Sequence, residues 1–502
     1  MRRLLVPIIL TLAILLYAGY RVLVLPPADV VLDNGARLDW VPCWFEVPIG
    51  RVTHCAHFFP RHDADETPIR LPVVVFRHVG LDHRTSPVLY LAGGPGGSAW
   101  LGQDEVTVWY DWLDGVDWPH DFVVFDQRGT GLSQPTFDCP ETRELSLQLL
   151  QAPPSVTESM ARGYAALQRC HDRLQTIGID LGRYNTPDSA RDVRDLMASL
   201  SDKAWNVYGV SYGTRLAMEV QRQFPARVRS VILDSVYPPD VDGTMSWPWL
   251  LEHSLERLFG ACRVDPACAA RHPELRTRFV GLLARLADDP MLLSIPHPRT
   301  GQMLEVRVND ERLVSVVFDA LYQWDLIGEL PAAIDALWSG DARRLRPLVA
   351  LHVGSLLDPG FSDAVYLSVE CHDAQPFDRE RYLDAVRAHP LVAPYTGPVA
   401  DYDVCAFWDS GHAPPRFFEP VASTLPTLLL AGEMDPITPA EWAEEAVKGF
   451  PNGYLLEFAG IGHSVIDSDT CGVEVARRFL AEPERRPDAT CMNQLPPVQF
   501  VP

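Results

Sequence analysis

A Gly-x-Ser-x-Gly pentapeptide at residues 209–213 constrains the fold of this chain more than any other feature. It follows a short apolar run at residues 204–208 and precedes apolar residues at helical spacing over 214–220. A strand, a sharp bend and a helix are the context in which this motif predicts an exposed nucleophilic serine. Small residues at the two glycine positions let strand and helix approach closely, while the bend strains the serine backbone. The motif predicts Ser211 as a nucleophile with the Tyr212 N–H facing an oxyanion; an incidental serine in a glycine-rich turn is the alternative.

Short apolar runs bounded by turn residues recur on both sides of this motif. Such runs are typical of strands buried on both faces, and the helical segments between them predict a parallel sheet. A helix at residues 188–200 is expected to open with Thr186 as its N-cap and Pro187 at the first helical position. A hairpin at the sheet edge is expected over residues 40–61. The predicted strands lie at residues 73–76, 88–91, 122–125, 205–208, 231–233, 427–430 and 454–458.

The alternation of strand and helix stops after residue 239 and returns near residue 421. The stretch between is mainly helical, with one short strand expected at residues 304–308. We therefore predict an α/β protein whose mostly parallel sheet is interrupted by a helical cap inserted between the later strands. The predicted parts are an N-terminal membrane anchor or signal peptide at 1–25, a first core segment at 26–239, the cap at 240–420 and a C-terminal core segment at 421–502.

The N-terminal stretch and the net charge bear on location and partners. Two arginines precede an uncharged apolar run at residues 4–20, which predicts an exported protein; an uncleaved anchor is favoured over a cleaved signal peptide. Such an anchor would attach the protein to a membrane at the cell envelope, whereas cleavage would give a secreted protein. The net charge of −23 argues against nucleic acid as a partner.

The ten cysteines are expected to pair, because an exported chain folds in an oxidising compartment. Proximity in sequence suggests five local disulfides, although spacing alone does not fix the connectivity. No cysteine cluster is joined to histidines at the spacing of a metal site, so neither a metal nor a cofactor is expected. The suggested pairs are Cys43–Cys55, Cys139–Cys170, Cys262–Cys268, Cys371–Cys405 and Cys471–Cys491.

Each of the last two predicted strands is followed by a residue that a serine nucleophile requires. A serine hydroxyl attacks only when a base removes its proton and an acid orients that base. Asp435 follows the strand at 427–430, and His463 follows the strand at 454–458. The chain order Ser211, Asp435, His463 is that of the catalytic triad in α/β-hydrolases. Glu433 is an alternative to Asp435 as the acid.

A glycine-rich loop, Ala-Gly-Gly-Pro-Gly-Gly-Ser at residues 92–98, follows the predicted strand at 88–91. Its glycines allow backbone N–H groups to face an anion, and the Lys and Ser/Thr of a phosphate-binding P-loop are missing. We predict that the N–H groups of Gly94 and Tyr212 form an oxyanion hole. The charged loop at residues 126–133 is expected to brace its neighbours.

Three motifs together resemble the proline-iminopeptidase-like serine peptidases of the α/β-hydrolase fold. They are Gly-Gly-Pro-Gly-Gly at 93–97, Asp-Gln-Arg-Gly-x-Gly-x-Ser at 126–133 and Gly-x-Ser-Tyr-Gly at 209–213. The five cysteine pairs and the C-terminal part are most similar to the secreted tripeptidyl-aminopeptidase branch. Ala92 stands where many proline iminopeptidases have histidine, as it does in members of that branch.

The resemblance implies hydrolysis of short peptides from a free N-terminus, with carboxylates of the cap holding the substrate ammonium. An ammonium is recognised selectively by a desolvated counter-charge. Glu370 is the first choice for this role and Asp373 the second, because a disulfide at Cys371 would fix their backbone. Two other functions fit the same residues: an esterase acting on small acyl esters, and a non-catalytic binding protein of the same fold.

Overall fold

The computed structural model describes residues 26–61 and 67–501. The anchor or signal peptide predicted at residues 1–25 lies outside the described residues. Within the described ranges, no helix combines the length and apolar character that crossing a membrane requires. The strands are β1 (Val30–Val31), β2 (Arg37–Val41), β3 (Val52–Phe59), β4 (Leu71–Arg77), β5 (Arg84–Leu91), β6 (His120–Phe125), β7 (Trp205–Val210), β8 (Val228–Asp234), β9 (Met291–Pro296), β10 (Met303–Val308), β11 (Thr427–Gly432) and β12 (Gly453–Phe458).

Ten of these strands form one sheet, in the order β1-β2-β3-β4-β6-β5-β7-β8-β11-β12. The six strands from β6 to β12 in that order are parallel, and β1 to β4 join them antiparallel. All seven runs predicted as strands lie in this sheet, and the predicted α/β fold with a mostly parallel sheet is confirmed. The antiparallel part includes the hairpin predicted over residues 40–61, in which β2 pairs antiparallel with β3.

Helices cover the parallel strands on both sides and fill the segment between β8 and β11. In the described residues they are α1 (Thr107–Val116), α2 (Pro140–Gln151), α3 (Val156–Thr176), α4 (Thr186–Leu200), α5 (Tyr212–Gln223), α6 (Gly243–Val264), α7 (Pro266–Arg271), α8 (Leu275–Asp288), α9 (Asp310–Tyr322), α10 (Trp324–Ile327), α11 (Leu330–Trp338), α12 (Leu345–Leu356), α13 (Asp363–Asp373), α14 (Arg379–Ala388), α15 (Ala393–Thr396), α16 (Cys405–Trp408), α17 (Ala440–Ala446), α18 (Val465–Ser468) and α19 (Thr470–Ala481).

Helix α4 begins one residue away from the predicted cap. Asn185 is the N-cap, and its side-chain oxygen accepts the Asp188 N–H at 2.8 Å. Thr186 is instead the first helical residue, and its hydroxyl hydrogen-bonds the Tyr212 hydroxyl at 2.7 Å. The prediction of Thr186 as N-cap is therefore wrong, because the extended backbone that a cap requires lies at Asn185.

The segment between β8 and β11 supplies most of one apolar cluster, which Leu150, Met434 and Val498 join from outside it. Buried side chains of α6, α8, α9 and α12 belong to this cluster, among them Leu255, Phe279, Val317 and Val349. The predicted strand at 304–308 lies in β10, which pairs antiparallel with β9, a strand that the sequence analysis did not predict. We propose domain boundaries near residues 240 and 420 on the basis of this cluster.

Five disulfides link the cysteines in the pairs that their proximity suggested. They join Cys43 to Cys55, Cys139 to Cys170, Cys262 to Cys268, Cys371 to Cys405, and Cys471 to Cys491.

Candidate active site

Ser211 lies in the turn between β7 and α5 with φ 57° and ψ −125°. A non-glycine residue held in so sparsely populated a region stores about 1–3 kcal/mol and persists only where its surroundings fix it. A Cβ on Gly209 would lie 2.3 Å from the Gly213 carbonyl oxygen, and a Cβ on Gly213 would lie 2.0 Å from the Leu91 carbonyl oxygen. A side chain at either position would therefore clash with a neighbouring backbone carbonyl, so both positions require glycine. The Ser211 N–H donates to the Asp234 carbonyl oxygen at 3.0 Å, which ties the turn to β8.

Asp435 and His463 meet beyond the carboxyl ends of β11 and β12. The His463 Nδ1 lies 2.9 Å from Asp435 Oδ2. Asp435 Oδ1 accepts the N–H groups of Ile437 and Thr438 at 3.0 and 2.9 Å, and Oδ2 also accepts the Thr438 hydroxyl at 2.7 Å. An ionised carboxylate can only accept, so Nδ1 carries the hydrogen and Nε2 is left free to take a proton.

Charge and burial act in opposite directions on this pair. Burial favours the neutral form of Asp435, but the His463 ring and the hydrogen bonds outweigh it and hold the pKa of the carboxyl below its usual range. For His463, burial favours the neutral ring, but the Asp435 carboxylate outweighs it and raises the pKa of the imidazole. Asp435 therefore stays ionised, while His463 becomes a stronger base than a free imidazole.

Glu433, the alternative acid, does not contact the imidazole. Its Oε2 accepts the Gly460 N–H at 2.8 Å, at the start of the loop that leads to His463. Of these two carboxylates, Asp435 is the one that contacts the imidazole of His463.

Ser211 and His463 line the same cavity, whose volume is about 760 Å³. In the described part of the chain, no hydrogen bond joins the Ser211 hydroxyl to the His463 ring. Such bonds are often long without substrate and tighten when it binds. The Tyr322 ring, from the end of α9, packs edge-on against the imidazole at 5.1 Å between ring centroids. The cap thus contributes to the position of the base.

The glycine-rich loop after β5 lies directly over the nucleophile. A Cβ on Gly93 would lie 3.0 Å from the Ser211 Cβ and 3.6 Å from its Oγ. Gly94 lines the same cavity and has φ +119°. A Cβ at this position would lie nearest to the backbone nitrogens of Gly96 and Gly97, and not to Ser211. The predicted loop is therefore at the nucleophile, with Gly93 against the serine, and the role of Gly94 as oxyanion donor stays a prediction.

The charged loop after β6 holds this glycine-rich loop in place. Asp126 Oδ1 accepts the Ala99 N–H at 2.7 Å, and Oδ2 accepts the Leu132 N–H at 2.8 Å. The Gln127 side-chain amide donates to the Ala92 carbonyl oxygen at 2.9 Å. Burial raises the pKa of Asp126 to about 6. These contacts supply the bracing that the sequence suggested.

The two carboxylates proposed for ammonium binding have different surroundings, although both lie on α13. Glu370 lines the cavity and accepts the Tyr237 hydroxyl at 3.2 Å. Burial raises the pKa of Glu370, and the Arg215 guanidinium opposes that rise. Asp373 does not line this cavity: its side chain is fully buried, accepts the Thr186 N–H at 3.2 Å and lies 2.7 Å from His372 Nδ1.

An aromatic wall completes the cavity, and the sequence analysis missed it. The rings of Tyr237 and Trp442 stack with 5.6 Å between centroids, and Trp247 lines the cavity beside them. The Arg215 guanidinium lies 3.6 Å from the Tyr237 ring centroid. Tyr237 follows the predicted strand at 231–233 at the sheet edge that carries Ser211, and this position was the signal available in the sequence.

Comparisons with known proteins extend this description. Residues 393–491 match the model of the family Abhydrolase_4, described as TAP-like protein. The tripeptidyl aminopeptidase of Streptomyces lividans is 26% identical over 469 residues, which cover 84% of this chain and 80% of that protein. The serine protease Hip1 of Mycobacterium tuberculosis is 24% identical over 479 residues and 89% of each chain.

Together with the site, these similarities support a serine peptidase of the α/β-hydrolase fold that is similar to the TAP-like proteins. Among solved structures, a thermophilic esterase from Thermogutta terrifontis matches this chain with a TM-score of 0.36 and 14% identity, over 86% of this chain and 99% of that chain.

Proposed function

We propose that this protein is an exported exopeptidase that releases short pieces from the free N-terminus of peptides. The observation that carries the proposal is the position of Glu370, a carboxylate in the same cavity as Ser211 and His463. A peptide bound with its ammonium at Glu370 would present a peptide bond inside that cavity. The name of the Streptomyces lividans relative, tripeptidyl aminopeptidase, supports the same substrate class.

The chemistry in this proposal follows from the hydrogen bonds of the site. His463 Nε2 removes the proton of the Ser211 hydroxyl, and the serine oxygen attacks the scissile carbonyl carbon. Asp435 keeps the hydrogen on Nδ1 and stabilises the imidazolium that forms. The N–H groups of Gly94 and Tyr212 stabilise the oxyanion of the tetrahedral intermediate. The amine leaves with the proton from His463, and water then hydrolyses the acyl-enzyme by the same route.

The walls and size of the cavity suit a peptide segment and not a single small group. A volume of about 760 Å³ lies within the range that encloses a drug-sized ligand. Tyr237, Trp247 and Trp442 give the cavity aromatic walls. Aromatic surfaces favour apolar side chains in the substrate.

Export is supported by the disulfides, since such bonds persist in oxidising compartments. The apolar segment at residues 4–20 would serve as anchor or signal peptide. Short peptides are the partners proposed, together with a membrane if that segment is retained, and nucleic acid is not among them.

A panel of chromogenic di- and tripeptides, each with a free and a blocked N-terminus, tests this function. We expect the free forms to be cleaved at least about tenfold faster, because a single charged contact contributes about 1.5–3 kcal/mol. The variant Glu370→Gln should raise KM for the free peptides and leave a chromogenic acyl ester unaffected.

The control is Glu445→Gln, at an exposed glutamate outside the cavity. Equal turnover of free and blocked peptides by the unmodified protein would contradict the exopeptidase proposal. A far higher kcat/KM for simple esters than for every peptide would favour the esterase alternative.

A further inference from the structure

Asp234 is the last residue of strand β8 and Ser235 follows it, and both contact the segments that carry the proposed triad. The Asp234 carbonyl oxygen accepts the Ser211 N–H at 3.0 Å. The Ser235 N–H donates to the Leu430 carbonyl oxygen at 2.9 Å, in the strand that leads to Asp435. Both residues are 0% exposed. Their backbone therefore joins the nucleophile turn to the strand before the acid.

The side chains of the same two residues hold the backbone that follows His463. Asp234 Oδ1 accepts the Val465 N–H at 2.8 Å, and Oδ2 accepts the Ile466 N–H at 2.9 Å. Ser235 Oγ accepts the Ser464 N–H at 2.9 Å. Three successive backbone amides are thus fixed directly after the imidazole.

The backbone at this point needs such support. Ser464 has φ 64°, and a non-glycine residue in this region costs about 1–3 kcal/mol unless its neighbours hold it. Helix α18, which follows, has four residues, so its first amides have no partners within the helix. The Asp234 carboxylate provides these partners, and without it the turn that directs His463 is free to relax.

Asp234 also acts on the imidazole through its charge. The titratable groups that face it are His463, Asp467, Tyr208 and Tyr90. Burial raises the pKa of Asp234 to about 7, against the two backbone hydrogen bonds and the His463 ring. The carboxylate in turn adds to the effect of Asp435 in raising the pKa of His463.

We propose that Asp234 and Ser235 together position the base: the Asp234 carboxylate accepts the N–H groups of Val465 and Ile466, and the Ser235 hydroxyl oxygen accepts that of Ser464, so that His463 is held where it takes the Ser211 proton. The proposal rests on the triad of the proposed function and is independent of peptide specificity. Asp234 does not line the cavity, so it acts through the imidazole and not on the substrate.

The variant Asp234→Asn tests this role, because the amide keeps the shape of the carboxyl but turns an NH₂ towards one of the two backbone N–H groups. With a chromogenic ester, we expect kcat to fall about 10–100-fold with little change in KM, since small misplacements of a catalytic group have effects of this size. Labelling of Ser211 by a fluorophosphonate should slow by a similar factor. The acid limb of kcat/KM should move to lower pH, because the Asp234 carboxyl, partly ionised with a pKa of about 7, no longer contributes negative charge beside His463.

Asp195→Asn is the matched control. Asp195 is also buried, but it lies on α4 and does not line the cavity, and its carboxylate accepts the Asn34 side-chain amide at 2.9 Å and the Arg194 guanidinium at 2.6 Å. Its replacement should lower the thermal midpoint of unfolding comparably and leave the acid limb in place. The proposal is wrong if Asp234→Asn keeps kcat within about threefold of the unmodified protein, or if both variants show the same loss and the same acid limb.

A second variant keeps the proposal testable if Asp234→Asn does not fold. Ser235→Ala removes only the contact to the Ser464 N–H, and a lower kcat at unchanged KM supports the positioning role, whereas an unchanged kcat overturns it. Because ester turnover and labelling are the measurements, a missing preference for free N-termini would refute the proposed exopeptidase function without affecting this result.

Discussion

Replacing Asp435 by asparagine should invert the tautomer of His463, for a reason that the hydrogen bonds make explicit. Oδ1 accepts two backbone amides, from Ile437 and Thr438, so the remaining oxygen of the asparagine must stay on that side. The NH₂ group then takes the place of Oδ2 and faces His463 Nδ1, which must become an acceptor. The ring hydrogen moves to Nε2, and the imidazole can no longer take the proton of Ser211.

The expected loss is large. Holding the wrong tautomer in such a triad lowers kcat about 10⁴-fold, which corresponds to about 5.4 kcal/mol at 1.36 kcal/mol per decade. The Thr438 hydroxyl can turn to accept from the new NH₂ group, so the fold should survive the change. The assay is single-turnover release of the chromogenic alcohol from an acyl ester, with the circular dichroism spectrum and thermal midpoint as controls for folding.

Glu433→Gln is the matched control for this experiment. Its side chain contacts the Gly460 N–H and not the imidazole, and the glutamine oxygen can keep that contact. We expect kcat within a few-fold of the unmodified protein, because a neutral acceptor replaces a charged one at this amide. A loss of less than about tenfold in Asp435→Asn, or an equal loss in Glu433→Gln, would refute the assignment of the acid.

Two further predictions concern the pH profile and the nucleophile turn. The acid limb of kcat/KM should have its midpoint above the value of 6.5 typical of a free imidazole. The reason is that the Asp435 carboxylate raises the pKa of His463 and only the neutral ring accepts a proton. A pH–rate profile with a midpoint below 6.5 contradicts this reasoning. Gly213→Ala should lower the free energy of unfolding by about 3 kcal/mol or more, because the new Cβ would lie 2.0 Å from the Leu91 carbonyl oxygen. Gly163→Ala, in open space on α3, should be neutral or stabilising in the same thermal denaturation, and equal effects of the two changes would count against the steric explanation.

The parallel half of the sheet was predictable because its strands are apolar on both faces. Runs such as 205–208 and 427–430 are buried at nearly every position, so continuous hydrophobicity marks them. The direction of β4 was not predictable from its run at 73–76, since composition does not distinguish a strand buried in parallel from one buried antiparallel. Strand β10 was predicted, but its partner β9 was missed. The sequence of β9 shows only weak alternation of apolar and polar residues and ends in proline.

The meeting of the proposed triad residues was predictable from where they stand relative to strands. Parallel strands bring their carboxyl ends to one edge, so residues after β11 and β12 must approach the turn after β7. The same rule applies to Asp234 and Ser235, which the sequence analysis passed over because no motif surrounds them. The sequence does not show how a helix is rotated about its axis or which groups its side chains contact. Glu370 and Asp373 both lie on α13, and the packing of that helix places Glu370 at the cavity and Asp373 away from it.

The most direct test of the central claim is the mass of the protein after reaction with a fluorophosphonate, followed by mapping of the modified peptide. The account predicts one adduct, on Ser211, formed by the folded protein and abolished by His463→Ala. A folded protein that forms no adduct, or one modified at another serine, would contradict it.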